Sequence, residues 1–521
     1  MLPIKRDAVP PSSRVLDAPT VLFMLGALVF LYGFLFIPPF LPRELTGDNM
    51  HFLLSGQRMY EGDTMYRDFF EFVTPGTALV NFFLFKLFGL RLWIPSLLCL
   101  LLGLGLVWGG VAIAKKLMRP GLALLPSAIF LSGLYWKGLD PTHHWYSLLM
   151  AMAALSMLME RRTLARIAAA GIFCGLSSCF TQTRGLAVAA GFGVYLWWEA
   201  QRRQEGWRKL LKKEAWLIAS FLATLIAVNA YFIWKAGPAR FLWCTVVYLF
   251  KYVPKQADFN TFLALRQCAP KVEWLSWRHP SYLVEWPLVW AVSPCVYILF
   301  FVMYGRKSEK PTEFWARPML LTLAGSFLLL SILPGPSESR MAASALPGII
   351  LLVWFVDSWP KVGQSLLTAF AVGALLVALH TVARRRPVQN WILTTPQGRI
   401  VLTDQNTHQE YTWIQQHTRP RGFFYEPAYP DQYFILNLRN PTPLPFMTNC
   451  GYTTTGQVTE AIRGLEQHPV RYIIWTPSLE VLPAWEDPSD AHLGPLYDYI
   501  RSHYQQIKVF ENSDQVWENK E

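Results

Sequence analysis

The chain has 521 residues, 53% hydrophobic and only 16% charged, against roughly 25% charged in an average soluble protein. This excludes an ordinary soluble enzyme and leaves room for a large membrane domain plus one modest soluble domain. The net charge of +12 reads as cytoplasmic Lys and Arg against anionic lipid. The polar part lacks a basic stripe interleaved with aromatics, so no nucleic-acid partner is expected.

Lys5, Arg6 and Arg14 precede an apolar run, 21–40, that is too long for a signal-peptide core and has no small-residue cleavage site. It reads as a retained first helix. The polar stretch Pro42–Leu92 follows. Asp48 stands a few residues past the span, then come Glu61, Asp63, Asp68 and Glu71 among the cations Arg58, Arg67, Lys86 and Arg91. The segment after Pro75 is apolar with Lys86 near its middle, which predicts a half-buried helix lying at the membrane interface.

A hydrocarbon core of about 30 Å takes about 20 apolar residues per helix, so the apolar segments between 19–40 and 365–383 predict about eleven spans. The loops 115–120, 160–166, 201–214, 305–310 and 359–364 all contain Lys or Arg, which places the N-terminus and these loops in the cytoplasm. Segments 41–92, 137–145, 235–281 and 334–341 then lie outside, as does everything after 384. Arg384, Arg385 and Arg386 go against this topology. Loop 235–281, with Lys251, Lys255, Arg266, Lys271 and Arg278 among aromatics, predicts short helices on the membrane surface. The seven cysteines form no CxxC pair and read as small buried hydrophobes, with a Cys244–Cys268 disulfide left open.

The predicted architecture is thus a mainly α polytopic membrane domain, 1–383, followed by a small extracytoplasmic α/β domain, 384–521. In the latter, 422–426, 471–475, 506–510 and 515–519 read as strands, and 407–417, 456–467 and 493–504 as helices.

Asp48 is the sharpest candidate for chemistry. It reads as a general base for an acceptor hydroxyl or as a divalent-cation ligand; the plain alternative is a helix N-cap. In LDPTHHWYS, Asp140 is either a second acidic group or a cap. The adjacent His143 and His144 are expected to point apart, too far for a shared metal. Tyr66, Arg67 and Asp68 either lock the first loop by an internal ion pair or help grip a phosphate. Lys86 either snorkels or meets an anion. Gln182 and Arg184 sit at a helix junction, and Arg340 two residues after Glu338; each is a site candidate or a plain interfacial charge.

In order, Asp48, Gly62-Asp63-Thr64-Met65-Tyr66-Arg67-Asp68, Pro75-Gly76, LFKLFGL at 84–90 and Asp140 on the next outer loop resemble the GT-C membrane glycosyltransferases. The likeness is in particular to the protein O-mannosyltransferase and bacterial aminoarabinose-transferase group. The resemblance implies transfer of a sugar from a polyprenyl-phosphate-linked donor to a hydroxyl of a lipid, protein or polysaccharide acceptor on the outer face. It implies inversion, Asp48 as catalytic base and Asp140 as second loop carboxylate. Two departures stand out: the usual acidic pair is Asp48-Asn49, and the usual Lys-Pro-Pro is replaced by Val73-Thr74-Pro75-Gly76. The donor phosphate must then be met by Lys86, Arg67, Arg184 or Arg340, with Arg58, Tyr66, Asp68, His143, His144 and Gln182 as substrate-binding candidates. The sequence requires no cofactor; a divalent metal, if used, falls to Asp48 and Asp140. The localisation implied is the bacterial inner membrane. The alternative reading is a transporter or flippase for a lipid-linked sugar.

Overall fold

A backbone removed from water must satisfy its own N–H and C=O groups, so long apolar runs become helices. The computed structural model describes residues 17–256, 261, 287–306, 310–359, 362–384, 390–482 and 487–520. The chain forms two compact units. One comprises residues 1–34, 98–228 and 265–387; the other comprises 35–97, 229–264 and 388–521.

The first unit is helical. Five described helices are long and apolar enough to cross a bilayer: Ala18–Leu35, Trp93–Ala114, Trp207–Ala236, Pro287–Arg306 and Gly363–Ala383. They stand against the eleven spans expected; Leu122–Gly133, Leu164–Phe180 and Ala345–Asp357 are apolar but shorter. Small residues bring helices together. A Cβ on Gly171 would meet the Leu217 carbonyl oxygen at 2.5 Å, and one on Gly185 the Cys174 carbonyl oxygen at 2.1 Å. Gly171 and Gly175 are spaced four apart on one helix face, the arrangement that lets apolar helices approach without a hydrophobic driving force.

Ion pairs and hydrogen bonds join the polar ends of helices within this unit. Lys116 pairs with Glu160 at 3.3 Å and Arg119 with Asp357 at 3.0 Å, while Arg202 donates to the Lys310 carbonyl at 3.0 Å. Arg317 donates to the Lys116 carbonyl at 2.8 Å and to that of Met159 at 3.2 Å. At the other end of the His143–Leu158 helix, His143 meets Thr181 at 2.9 Å, and Arg184 joins the carbonyls of His144 and Arg340. Within this unit segments 115–120, 160–166 and the Asp357 helix end are therefore linked, and at the opposite helix ends so are 137–145 and 334–341.

The second unit is mixed. Strands Tyr472–Trp475, Gln515–Asn519 and Tyr504–Val509 form an antiparallel sheet with Gln515–Asn519 in the middle. The helices Gln405–His417, Thr455–Gln467 and Gly494–His503 fall where the sequence predicts them. The 422–426 segment is no ladder strand: Phe423 and Tyr425 make only isolated bridges, to Arg439 and Ile473. A hairpin of Trp391–Thr395 and Gly398–Leu402 was not anticipated. One apolar core includes Tyr66 and Phe70 of the first loop, Tyr248, and Tyr425, Ile473, Trp475 and Ile500 of the C-terminal part. The C-terminal residues thus share their core with the first loop.

The Gly76–Phe88 helix has 13 residues, about 20 Å at 1.5 Å per residue, too short to span a bilayer. After Ala236 the chain forms one helical run rather than separate short helices: Pro238–Leu242 and Tyr248–Lys251 are α-helical and Trp243–Val247 between them is a π-helical turn. Arg266, Lys271 and Arg278 lie outside the described residues. So does Cys268, while Cys244 is a free, buried thiol.

Candidate functional site

The first-loop helix, Asp48–Glu61, begins after Gly47, whose φ of 112° is readily available only to glycine. Asp48 is its first residue, is exposed, and makes no capping hydrogen bond. The cap expected of it is absent because the helix starts one residue too early for its side chain to fold back. An acid in the first turn is favoured by the helix dipole in any case. The helix ends at Gly62 in the left-handed conformation, with the Gly62 N–H donating to the Met59 carbonyl.

A compact turn follows. Asp63 accepts from Arg58 at 2.8 Å, and Asp68 accepts from the Thr64 N–H at 2.7 Å. Arg67 grips both oxygens of Asp68, at 2.9 and 2.8 Å, and that bond holds the Asp68 carboxyl below its ordinary range despite partial burial. Tyr66 is fully buried, with its hydroxyl donating to the Val73 carbonyl at 2.7 Å. The motif therefore folds the loop, and Tyr66 serves it from the core. Lys86 lies exposed over the rings of Tyr60 and Phe82, 5.0 and 5.6 Å away.

Within this unit the structure reveals a pair the sequence reading missed. His51, one turn past Asp48, hydrogen-bonds through Nε2 to Glu71, which is 0% exposed. Glu71 also accepts from the Phe72 and Val73 N–H groups at 2.9 and 3.1 Å and from Ser55 at 3.4 Å. Burial opposes a charge on His51, but the Glu71 carboxylate and its hydrogen bond outweigh it, with Asp48 adding to them; the imidazole pKa moves up. The available signal was the i, i+3 spacing of Asp48 and His51, which puts them on one helix face. Nothing local pointed to Glu71, the one acid within an aromatic run.

The helical unit carries the other candidates. Thr142, not Asp140, caps the His143–Leu158 helix, accepting from the His144 N–H at 3.2 Å. Asp140 precedes it, half-buried, with its backbone N–H on the Gly138 carbonyl at 2.8 Å. His143 and His144 do not point apart: their ring centroids are 3.9 Å from each other at the helix start. Arg184 is fully buried. Its Nη1 donates to the His144 carbonyl at 2.9 Å, the Ser147 hydroxyl at 3.3 Å and the Ala343 carbonyl at 3.4 Å, and Nη2 reaches the Arg340 carbonyl at 3.3 Å. Gln182 opens the Gln182–Arg202 helix, and its carbonyl accepts from Ser178 at 3.0 Å. Arg340 donates to the Gly335 carbonyl at 2.9 Å. Arg184 is thus a cross-link among three segments, whatever else it does.

No family model and no curated relative matches this sequence. Solved structures do. ArnT from Cupriavidus metallidurans bound to undecaprenyl phosphate is similar at 12% identity and a TM-score of 0.57, over 96% of this chain and 97% of that one. AglB, an oligosaccharyltransferase from Archaeoglobus fulgidus solved with an inhibitory peptide and a dolichol-phosphate, is similar at 10% identity and a TM-score of 0.50, over 88% of this chain and 69% of that one. The fold is therefore that of the GT-C membrane glycosyltransferases, as the sequence resemblance implied.

Proposed function

We propose that this protein is an integral-membrane glycosyltransferase that moves a sugar from a polyprenyl-phosphate-linked donor to an acceptor hydroxyl on the outer face of the membrane. The observation that carries this reading is a fold shared along 96% of the chain with ArnT, a protein solved with undecaprenyl phosphate bound. Asp48 supports it from the chain's own side, since it is an exposed carboxylate at a helix start that no capping role accounts for. In this reading Asp48 takes the acceptor proton as the acceptor oxygen displaces the lipid phosphate in line, with inversion. The departing phosphate needs fixed cations, and Lys86, Arg67, Arg184 and Arg340 are the candidates. Asp140 is the second carboxylate. The reading places the protein in a bacterial inner membrane with its N-terminus cytoplasmic.

The test is a transfer assay on purified protein in liposomes, offering polyprenyl-phosphate sugars and a cell-envelope extract, with Asp48→Asn and EDTA in parallel. Sugar transfer by the wild type that Asp48→Asn abolishes is the expected result. Equal transfer by Asp48→Asn removes Asp48 from the chemistry. Loss of activity with EDTA assigns a divalent ion. Movement of donor between leaflets without transfer means a flippase.

A further inference from the structure

The Trp207–Ala236 helix has 30 residues, about 45 Å at 1.5 Å per residue, against a hydrocarbon core of about 30 Å. Its first turns, which carry the charges, therefore stand beyond the apolar layer at the level of lipid headgroups. Three cations there share one helix face: Arg208 and Lys212 are spaced i, i+4, and Lys209 and Lys212 i, i+3. All three are exposed. None of them forms an ion pair among the described residues; Arg208 only lies over the Trp207 ring, 5.6 Å away. The neighbouring acids are already engaged. Glu205 holds Lys213 at 2.6 Å, and Glu199 holds Arg203 at 3.3 Å and Arg162 at 3.5 Å. Glu214 packs on Gly193, where a Cβ would meet its Oε2 at 3.2 Å. Beside the cations the helix presents an apolar stripe. Trp216 follows Lys212 by one turn, and Ile218, Leu222 and Ile226 follow at i, i+4 spacing, all of them exposed. From Trp216 to Ile226 the stripe covers about 15 Å of helix axis, one leaflet's share of the hydrocarbon.

We infer that this face is a docking surface for an anionic phospholipid, with the acyl chains along the stripe and the phosphate among Arg208, Lys209 and Lys212. The juxtaposition selects the occupant. Exposed apolar side chains leading up to unpaired cations match an amphiphile with a negative head, whereas a soluble acidic segment would match the cations and leave the stripe bare. Trp216 stands at the join, and an indole suits the boundary between acyl chains and headgroups, where its ring is dry and its N–H near water. The lysine stems reach outward from that level and keep their ammonium groups among phosphates. Each Lys or Arg held close to an anionic membrane surface strengthens the attraction, and here three act together. In the proposed topology this is the cytoplasmic end, whose leaflet carries the anionic lipid. The surface lies on one helix and uses none of the candidate catalytic or donor-binding residues. It therefore goes beyond the transferase reading and holds equally for a flippase.

The test is native mass spectrometry of the full-length protein, purified in a neutral detergent and titrated with phosphatidylglycerol or with phosphatidylcholine of the same chains. Wild type should bind phosphatidylglycerol the more tightly. Removing one cation should weaken that lipid about fivefold, and Arg208→Gln, Lys209→Gln and Lys212→Gln together on the order of a hundredfold. Phosphatidylcholine binding should stay as it is. Lys213→Gln loses an ammonium already committed to Glu205 and should keep the preference, as should Lys209→Arg combined with Lys212→Arg. The three positions are exposed, so the triple variant should melt with the wild type, which separates lost binding from a lost fold. A wild type with no preference for phosphatidylglycerol overturns the proposal and leaves this face to an acidic protein segment. Wild-type binding of phosphatidylglycerol by the triple variant overturns it as well, and moves the lipid to another basic loop. Either failure leaves the transferase reading standing, because Asp48→Asn tests that reading separately.

Discussion

The Arg58 guanidinium joins two stretches 384 positions apart, donating through Nη1 to the Thr442 carbonyl at 2.7 Å. Its Nε holds Asp63 at 2.8 Å, and the flanking Gln57 and Glu61 bind the Leu438 carbonyl and Arg439 at 3.0 and 3.1 Å. The last turn of the Asp48–Glu61 helix thus anchors the C-terminal part of its own unit. Arg58→Ala removes two charge-assisted bonds and should cost that unit about 3 kcal/mol. Arg58→Lys should recover little, because an ammonium cannot reproduce the fork. Pulse proteolysis of the C-terminal part in a denaturant series checks both; wild-type resistance in Arg58→Ala would mean the anchor contributes nothing.

Asp48 should separate activity from stability. Its side chain caps nothing, so Asp48→Asn should change the unfolding free energy by no more than about 0.5 kcal/mol. Loss of a general base lowers transfer by about 10²–10⁴. Thermal unfolding beside the transfer assay tests the pair of statements. A variant that loses both together would make Asp48 a structural residue.

How much of this was legible in the sequence depends on the range of the interactions. Which helix ends lie together was partly readable, because Lys and Arg cluster in the connecting loops: Lys116 pairs with Glu160, Arg317 binds the Lys116 and Met159 carbonyls, and Arg202 binds that of Lys310. Three of four C-terminal strands were readable from local patterns such as RYIIW. The fourth, 422–426, was not, because its apolar residues are buried by isolated bridges rather than by a ladder. The helix start at Asp48 was misplaced by one residue, and Thr142 took the cap expected of Asp140. The partnership of His51 with Glu71 was out of reach, because it depends on how the loop from Gly62 to Pro75 folds back. Tyr66, at φ 69°, and its bond to Val73 set that course.

Two cations should divide by role. Arg184 is fully buried and donates to four oxygens on two other segments, 144–147 and 340–343. Arg184→Met leaves those acceptors unpaired, at about 1–3 kcal/mol for each that water cannot reach, so the helical unit should melt several degrees lower. Lys86 is exposed beside two aromatic rings, so Lys86→Ala should leave melting unchanged and weaken donor binding alone. Melting in detergent with and without undecaprenyl phosphate distinguishes them. A Lys86→Ala variant that keeps the full ligand-induced shift would strike it from the phosphate-binding set.

The second unit should lose stability as pH rises, the reverse of a protein held by salt-bridged carboxylates. Burial, with the nearby charge of Asp514, raises Glu410 to about 7, and both carboxylates share the Asn512 amide, at 3.1 and 2.6 Å. Burial likewise raises Asp431 to about 6 and, with Asp431 adding, Glu44 to about 8. A carboxyl whose folded pKa exceeds its unfolded one binds more protons when folded. Its contribution is intact below about pH 4.5 and is lost as pH climbs through the folded value. For Glu410 alone the loss is on the order of 3 kcal/mol, taken between about pH 5 and 8. His51 acts in the same direction, since its bond to Glu71 is strongest when the ring is charged. Glu410→Gln should therefore flatten the curve in part, leaving wild-type stability near pH 5 and gaining on it at pH 8. Melting temperatures of both proteins at pH 5, 6.5 and 8 decide it, and parallel curves would show that Glu410 ionises freely in the folded state.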